Sequence, residues 1–370
     1  MEKLQNKLEE LLKGADVKLN GPRKFDIQVH NDDLYRRIFA NGSLGLGEAY
    51  MEGWWDCEDL EELFFRLLSA NLDRRLHPIR LAGAWAKATF LNLQTHSQAF
   101  KIGEHHYDIG DDLYQIMLDK RMIYSCGYWK GTRSLNKAQE QKIDLICKKL
   151  GLKKGMRVLD IGCGWGGALQ YAAEKYGIHG VGVTVSRNQE KKAREVCRDW
   201  PIEIRLQDYR DINDSFDRIW SIGMIEHVGA KNYRTFMKVV RRSLNPGGLF
   251  LLHTIGGNRS VSKSDPWINN YIFPNSMIPS IRQLGLSWEN LFVMEDWHNF
   301  GIYYRKTLQE WERNVQKHKQ YILDKYGESF FRMWHYYLQS CAGSFRARKN
   351  NLWQIVLSPE GVPGGYTSIR

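Results

Sequence analysis

A chain of 370 residues, 43% of them hydrophobic and 12% aromatic, is long enough for one large or two ordinary globular domains. No apolar run approaches the roughly 18–20 residues that cross a bilayer, and the charged start Met1–Lys7 lacks a signal-peptide core, so a cytoplasmic protein is expected. The net charge of +11 suits a polyanion, either nucleic acid or an anionic membrane surface, or serves only to solubilise. No RNA-recognition, KH or helix-turn-helix pattern is present, which argues against nucleic acid. Cys57, Cys126, Cys147, Cys163, Cys197 and Cys341 contain no CxxC pair, which predicts free thiols and neither a disulfide frame nor a zinc site.

In chain order, residues 1–13 read as an amphipathic helix, with Leu4, Leu8, Leu11 and Leu12 on one face and Gly14 as a stop. The glycine-rich run 41–50 turns into a helix start. Residues 58–93 follow with helical spacing of Leu60, Leu63, Phe64, Leu67 and Leu68, and with Arg66, Arg74, Arg75, Arg80 and Lys87 among the apolar groups. Such a basic, tryptophan-bearing surface suits a bilayer, or it packs the small domain or a dimer contact. The composition predicts a small, mainly helical N-terminal domain over 1–95 and a second domain over 96–370.

The second part alternates. Strands are expected at 156–161, 179–184, 202–206, 217–222, 248–254, about 291–297 and 352–357, with helices at 137–150, 167–176, 187–198 and 232–243. That order implies an α/β fold with a mostly parallel sheet, helices on both faces, and a ligand at the carboxyl ends of the strands. The first strand runs into Gly162-Cys163-Gly164-Trp165-Gly166-Gly167, a turn whose glycines admit positive φ and close ligand approach. A dinucleotide site would place an acid at the end of the second strand. Here Thr184 and Ser186 stand there, which argues against an NAD oxidoreductase. Asp160 before the loop, and Asn245-Pro246-Gly247-Gly248 before the fifth strand, resemble the Rossmann-like class I S-adenosylmethionine (SAM) methyltransferase layout instead.

The runs Ser43–Trp55, Glu104–Tyr114, Tyr124–Trp129 (YSCGYW), Leu159–Gly167 (LDIGCGWGG), Gly182–Ser186, Gln207–Asp211, Gly223–Gly229 (GMIEHVG), Leu251–Gly256 (LLHTIG), Asp265–Asn275, Met294–Gly301 and Cys341–Gln354 occur in this order. Together they resemble the cyclopropane-fatty-acyl-phospholipid synthase family over nearly the whole chain. The resemblance implies transfer of a methylene from SAM to the cis double bond of an unsaturated acyl chain in a membrane phospholipid. It also implies a bound bicarbonate as base, held by Cys126, Glu226, His253, the backbone of Ile255, and Tyr304. Cys341 matches a cysteine discussed as catalytic in the family, although a thiol has no evident duty beside that anion, and packing is the alternative.

The cofactor residues implied are Gly162, Gly164 and Gly166 along methionine and ribose, Asp160 orienting that loop, and Thr184, Ser186 and Gln189 at the ribose. Gln207, Asp208 and Tyr209 lie where the adenine is held, and Tyr124 and Ser125 close over the cofactor. Tyr124 or Trp129 could offer a cation–π face to the sulfonium. Trp267–Pro274 is expected to line an acyl channel or to pack as a lid. The resemblance further implies a homodimer at the inner membrane face. A related C- or N-methyltransferase on another lipid or amine acceptor, or a non-catalytic lipid-binding protein, are the competing readings.

Overall fold

The computed structural model describes residues 2–75 and 110–370. The parts of the expected 58–93 helical region beyond Arg75, and the run 104–109, lie outside the described residues. Two compact units emerge. The first comprises residues 1–91, 262–274 and 304–350, and the second 92–261, 275–303 and 351–370. The boundary expected at 95/96 falls outside the described residues, and the first unit also recruits two later segments that were assigned to the second domain.

In the second unit the seven strands are β1 (Arg157–Ile161), β2 (His179–Thr184), β3 (Ile202–Leu206), β4 (Phe216–Ile222), β5 (Leu244–Gly257), β6 (Val293–Asn299) and β7 (Asn350–Ser358). They lie in the order β3-β2-β1-β4-β5-β7-β6. The pairs β1–β2, β1–β4, β2–β3 and β4–β5 are parallel, and β6–β7 is antiparallel. β5 starts earlier than expected because Leu244 pairs with Phe216. The register then shifts and resumes at Arg218 with Leu249. Asn245–Gly248 absorb the offset, since Pro246 has no N–H to give a ladder and Gly247 sits at φ 71°.

Side chains alternate across the sheet. Leu159, Ile161, Phe250, Leu252, Trp353, Ile355 and Leu357 join one core, under helices Tyr233–Arg242 and Ile281–Trp288. Val158, Trp220, Leu249, Leu251 and Val356 join the other, with helices Leu135–Lys149, Gly167–Tyr176 and Arg187–Cys197. By the same alternation Asp160, His253 and Gln354 belong to the second face. Three polar residues therefore continue apolar columns, and all three are buried.

The first unit is helical, apart from the short pair Gln28–Val29 and Trp55–Asp56. Its amphipathic helix Glu2–Lys13 buries Leu8 and Leu12 as the spacing predicts. Helix Glu328–Arg346 packs closely on helix Leu60–Ser69. A Cβ on Gly343 would come within 2.7 Å of Phe64 Cβ and 2.9 Å of the Glu61 carbonyl. Trp267, expected at an acyl channel, is 1% exposed and stacks on Tyr336 at 4.5 Å between ring centres, so it packs this core.

Candidate active site

The glycine turn leaves β1 with Gly162, Gly164 and Gly166 at φ 87°, 54° and 83°. A Cβ on Gly162 would meet Met224 at 2.8 Å and one on Gly166 would meet Cys197 Sγ at 2.7 Å, whereas one on Gly164 would meet nothing within 4 Å. Two of these glycines are thus required by packing, and the third faces open space at the strand's carboxyl end.

Asp160 is 2% exposed, and burial pushes its carboxyl up to about 7 against the opposing charge of Lys142. At β2, Thr184 Oγ1 donates to Gln189 Oε1 (2.9 Å) and accepts from the Ser186 N–H. Ser186 Oγ in turn accepts from the Gln189 N–H and caps helix Arg187–Cys197. These three residues form one buried knot at the end of β2. At β3, the Gln207 N–H donates to the Thr184 carbonyl (2.9 Å), and Asp208 Oδ1 accepts from the Arg210 N–H (2.9 Å). Tyr209 opens the short turn Tyr209–Asp211, with its ring in the core 5.3 Å from Phe236.

Tyr124, Ser125 and Cys126 lie on a strap bound along helix Leu135–Lys149. Gln139 Nε2 donates to the carbonyls of Ser125 (2.7 Å) and Ile123 (3.3 Å). Lys142 Nζ donates to Ser125 Oγ (2.8 Å), and the Tyr128 N–H donates to the Ala138 carbonyl (2.8 Å). Asp119, also buried, accepts from the N–H groups of Ile123 and Arg121. Tyr124 stands edge-on to Tyr114 (5.2 Å), which packs on Trp165 of the glycine turn (5.0 Å). The strap passes Gly223, whose added Cβ would lie 4.0 Å from Ser125 Cβ. Gly223 ends β4, and its N–H donates to the His253 carbonyl.

Glu226 follows in the turn Ile225–His227. Its carbonyl accepts from the Met277 N–H (2.7 Å), and its Oε1 accepts from the Ile255 N–H (2.8 Å). Burial pushes this carboxyl up to about 7. His253 is fully buried and held neutral, its pKa driven well below normal by burial and by the nearby Lys142 and Lys149. Gln354 Nε2 lies 3.3 Å from His253 Nδ1. With the Gln354 amide in this orientation, Nδ1 accepts and the neutral ring carries its proton on Nε2. The Ile255 N–H, expected to hold the anion directly, is engaged by Glu226, so Ile255 acts here through the carboxyl it orients. Cys126 Sγ is buried and donates to the Gly127 carbonyl.

Tyr304 and Cys341 belong to the first unit. Tyr304 packs on Phe345 at 4.5 Å and edge-on to Trp311. Cys341 lies on helix Glu328–Arg346, where burial pushes its thiol up to about 12. Such a thiol is a poor nucleophile at neutral pH.

The sequence reading missed Gln139, Lys142 and Gln354. Each had a signal. Gln139 and Lys142 interrupt the apolar stripe Leu135, Ala138, Ile143, Ile146, and Gln354 interrupts the apolar run Leu352–Leu357.

The arrangement fits a polar ligand and a small anion. Asp160 Oδ1, Asp208 Oδ2, Glu226 Oε2 and His253 Nε2 are all buried and have no hydrogen-bond partner among the described residues. Asp208 Oδ2 offers an acceptor for an exocyclic amine, and the proton on His253 Nε2 offers a donor.

The family model for mycolic acid cyclopropane synthetase matches residues 94–355. A cyclopropane-fatty-acyl-phospholipid synthase of Escherichia coli strain K12 is 51% identical over 366 residues, covering 98% of this chain and 94% of that protein. Two solved structures cover 72% of this chain and 99% of their own. The cyclopropane synthase MmaA2 from Mycobacterium tuberculosis has 30% identity and a TM-score of 0.67. The mycolic acid cyclopropane synthase CmaA1, complexed with SAH and CTAB, has 32% identity and a TM-score of 0.66. With the sheet order, the glycine turn and the Glu226–His253 end of the sheet already in place, these matches show that the chain belongs to the cyclopropane-fatty-acyl-phospholipid synthase family of SAM-dependent methyltransferases.

Proposed function

We propose that the protein transfers a methylene from SAM to the cis double bond of an unsaturated acyl chain in a membrane phospholipid, with bound bicarbonate as the base. The bound groups supply an activated methyl and a proton acceptor, so that the alkene gains one CH2, a ring closes, and S-adenosylhomocysteine and a proton leave. The observation that carries the reading is the buried pair at the ends of β4 and β5. Glu226 is anchored by the Ile255 N–H, and His253 is fixed by Gln354 with its proton on Nε2. A neutral histidine N–H donates to an anion oxygen, and Glu226 Oε2 accepts from the anion's OH. A base held in a fixed place is needed because an alkene is a weak nucleophile and the developing cation must lose its proton at one carbon. Asp160 and the glycine turn orient the methyl donor, while Asp208 takes the adenine amine. The Cys126 backbone adds a donor to the proposed cage.

We further read the protein as a cytoplasmic homodimer that works at the inner face of the membrane, the first unit meeting anionic headgroups. Lys3, Lys7, Lys13 and Lys18 are exposed there, and no helix among the described residues is long and apolar enough to cross a membrane. The test is mass spectrometry of vesicles bearing a cis-monounsaturated chain, with and without anionic lipid, after incubation with protein, SAM and bicarbonate. The expected product gains one CH2 per chain and has no reducible double bond, in greater yield on anionic vesicles. A saturated methyl branch, heavier by two hydrogens, would overturn ring closure. Equal yield on neutral vesicles would overturn the headgroup contact.

A further inference from the structure

Lys142 is a lysine with 0% exposure inside the second unit. Among the described residues it donates a hydrogen bond to Ser125 Oγ at 2.8 Å, on the strap that carries Tyr124 and Cys126. The titratable groups facing it come from four elements. They are Asp119, just beyond helix Asp111–Met117, Cys126 on the strap, Asp160 on β1, and His253 on β5. Burying an ammonium costs several kcal/mol unless nearby acceptors and carboxylates compensate it. A methionine or leucine would satisfy the apolar stripe of helix Leu135–Lys149 at no such cost, so the cation needs a use. The geometry supplies one. Ser125 needs a donor to fix its side chain over Gly223.

We propose that Lys142 is a positioning residue that binds the strap through Ser125, and so sets the affinity of the cofactor cradle. The role depends on charge and not on bulk. Burial brings the Lys142 ammonium down to about 8, so above that pH the charge on the donor to Ser125 is lost.

The experiment is calorimetric titration of the full chain with S-adenosylhomocysteine from pH 7.0 to 9.5, for the native protein, Lys142→Met and Lys142→Arg. At pH 7.5 Lys142→Met is expected to bind about tenfold more weakly, the loss of one charged, buried hydrogen bond. The gap should close to about twofold by pH 9.5, as the native lysine itself loses its proton. Comparing the proteins cancels titration of the ligand. A gap of constant size at every pH, or none, would overturn the proposal, because a purely structural role does not track the proton. If Lys142→Met fails to fold, Lys142→Arg decides. Its permanent cation should hold affinity above pH 8 while the native protein weakens relative to it, and an unchanging ratio would overturn the idea. Failure of the native protein to bind S-adenosylhomocysteine at all would instead strike the cofactor assignment, so the two failures are distinguishable.

Discussion

Two carboxyls, Asp160 and Glu226, stand buried at the ends of neighbouring strands, and burial raises both to about 7. Glu226 binds its proton more tightly folded than unfolded, so its contribution to stability is complete below its unfolded value near 4.5. That contribution is lost as pH rises toward 7. Glu226→Gln removes this slope. From chemical denaturation at pH 4.5 and pH 8, the variant should gain on the native protein by on the order of 3 kcal/mol between the two pH values. A difference independent of pH would contradict a raised carboxyl. At this scale the sequence showed which residue types meet but not who holds them. GMIEHVG and LLHTIG pointed to Glu226 and His253. That Glu226 would occupy the Ile255 N–H, and that Gln354 would fix the imidazole, required β7 to lie beside β5. No local pattern specifies that adjacency.

The glycine turn separates packing from ligand space at the scale of one element. Gly164→Ala places a left-handed residue at a cost of about 1–2 kcal/mol but meets no neighbour. Gly166→Ala adds a collision with Cys197 Sγ at 2.7 Å. Thermal melts should therefore show the larger loss for Gly166→Ala. Cofactor titration should show Gly164→Ala still folded yet binding at least about tenfold more weakly, because its Cβ enters the open side of the turn. Equal melts for the two variants would contradict the packing argument. The helices beside this turn were legible from period alone. Expected spans 167–176 and 187–198 became Gly167–Tyr176 and Arg187–Cys197, since a buried stripe runs along each, Gly177 stops the first and Ser186 caps the start of the second. The polar members of helix Leu135–Lys149 were passed over because periodicity counts apolar positions and reads a buried lysine as an exception.

At the scale of the whole molecule, the alternation of strands and helices foretold the mostly parallel sheet. It could not foretell that residues 262–274 and 304–350 leave the sheet to complete the first unit. Spacing treats neighbours in sequence as neighbours in space, and those segments violate that rule. Deleting residues 1–91 consequently removes only part of a core. Gly343 loses Phe64, Trp267 loses Gly47, and Arg332 loses the Tyr50 and Trp55 carbonyls it binds. Such a truncation is expected to aggregate or bind a hydrophobic dye strongly, and its tryptophan emission should shift to the red. A soluble, cooperatively melting product would show that the later segments fold without the N-terminal helices.

The chain passes between the units several times; β5 ends at Gly257 and the first unit resumes at Ser262, with four residues between. On the return, Pro274 stands three residues from Met277, whose N–H is clasped by the Glu226 carbonyl. The one residue Glu226 thus ties two segments of the second unit, its carbonyl holding Met277 and its carboxyl holding Ile255, so that a change at Met277 is felt at the end of β5.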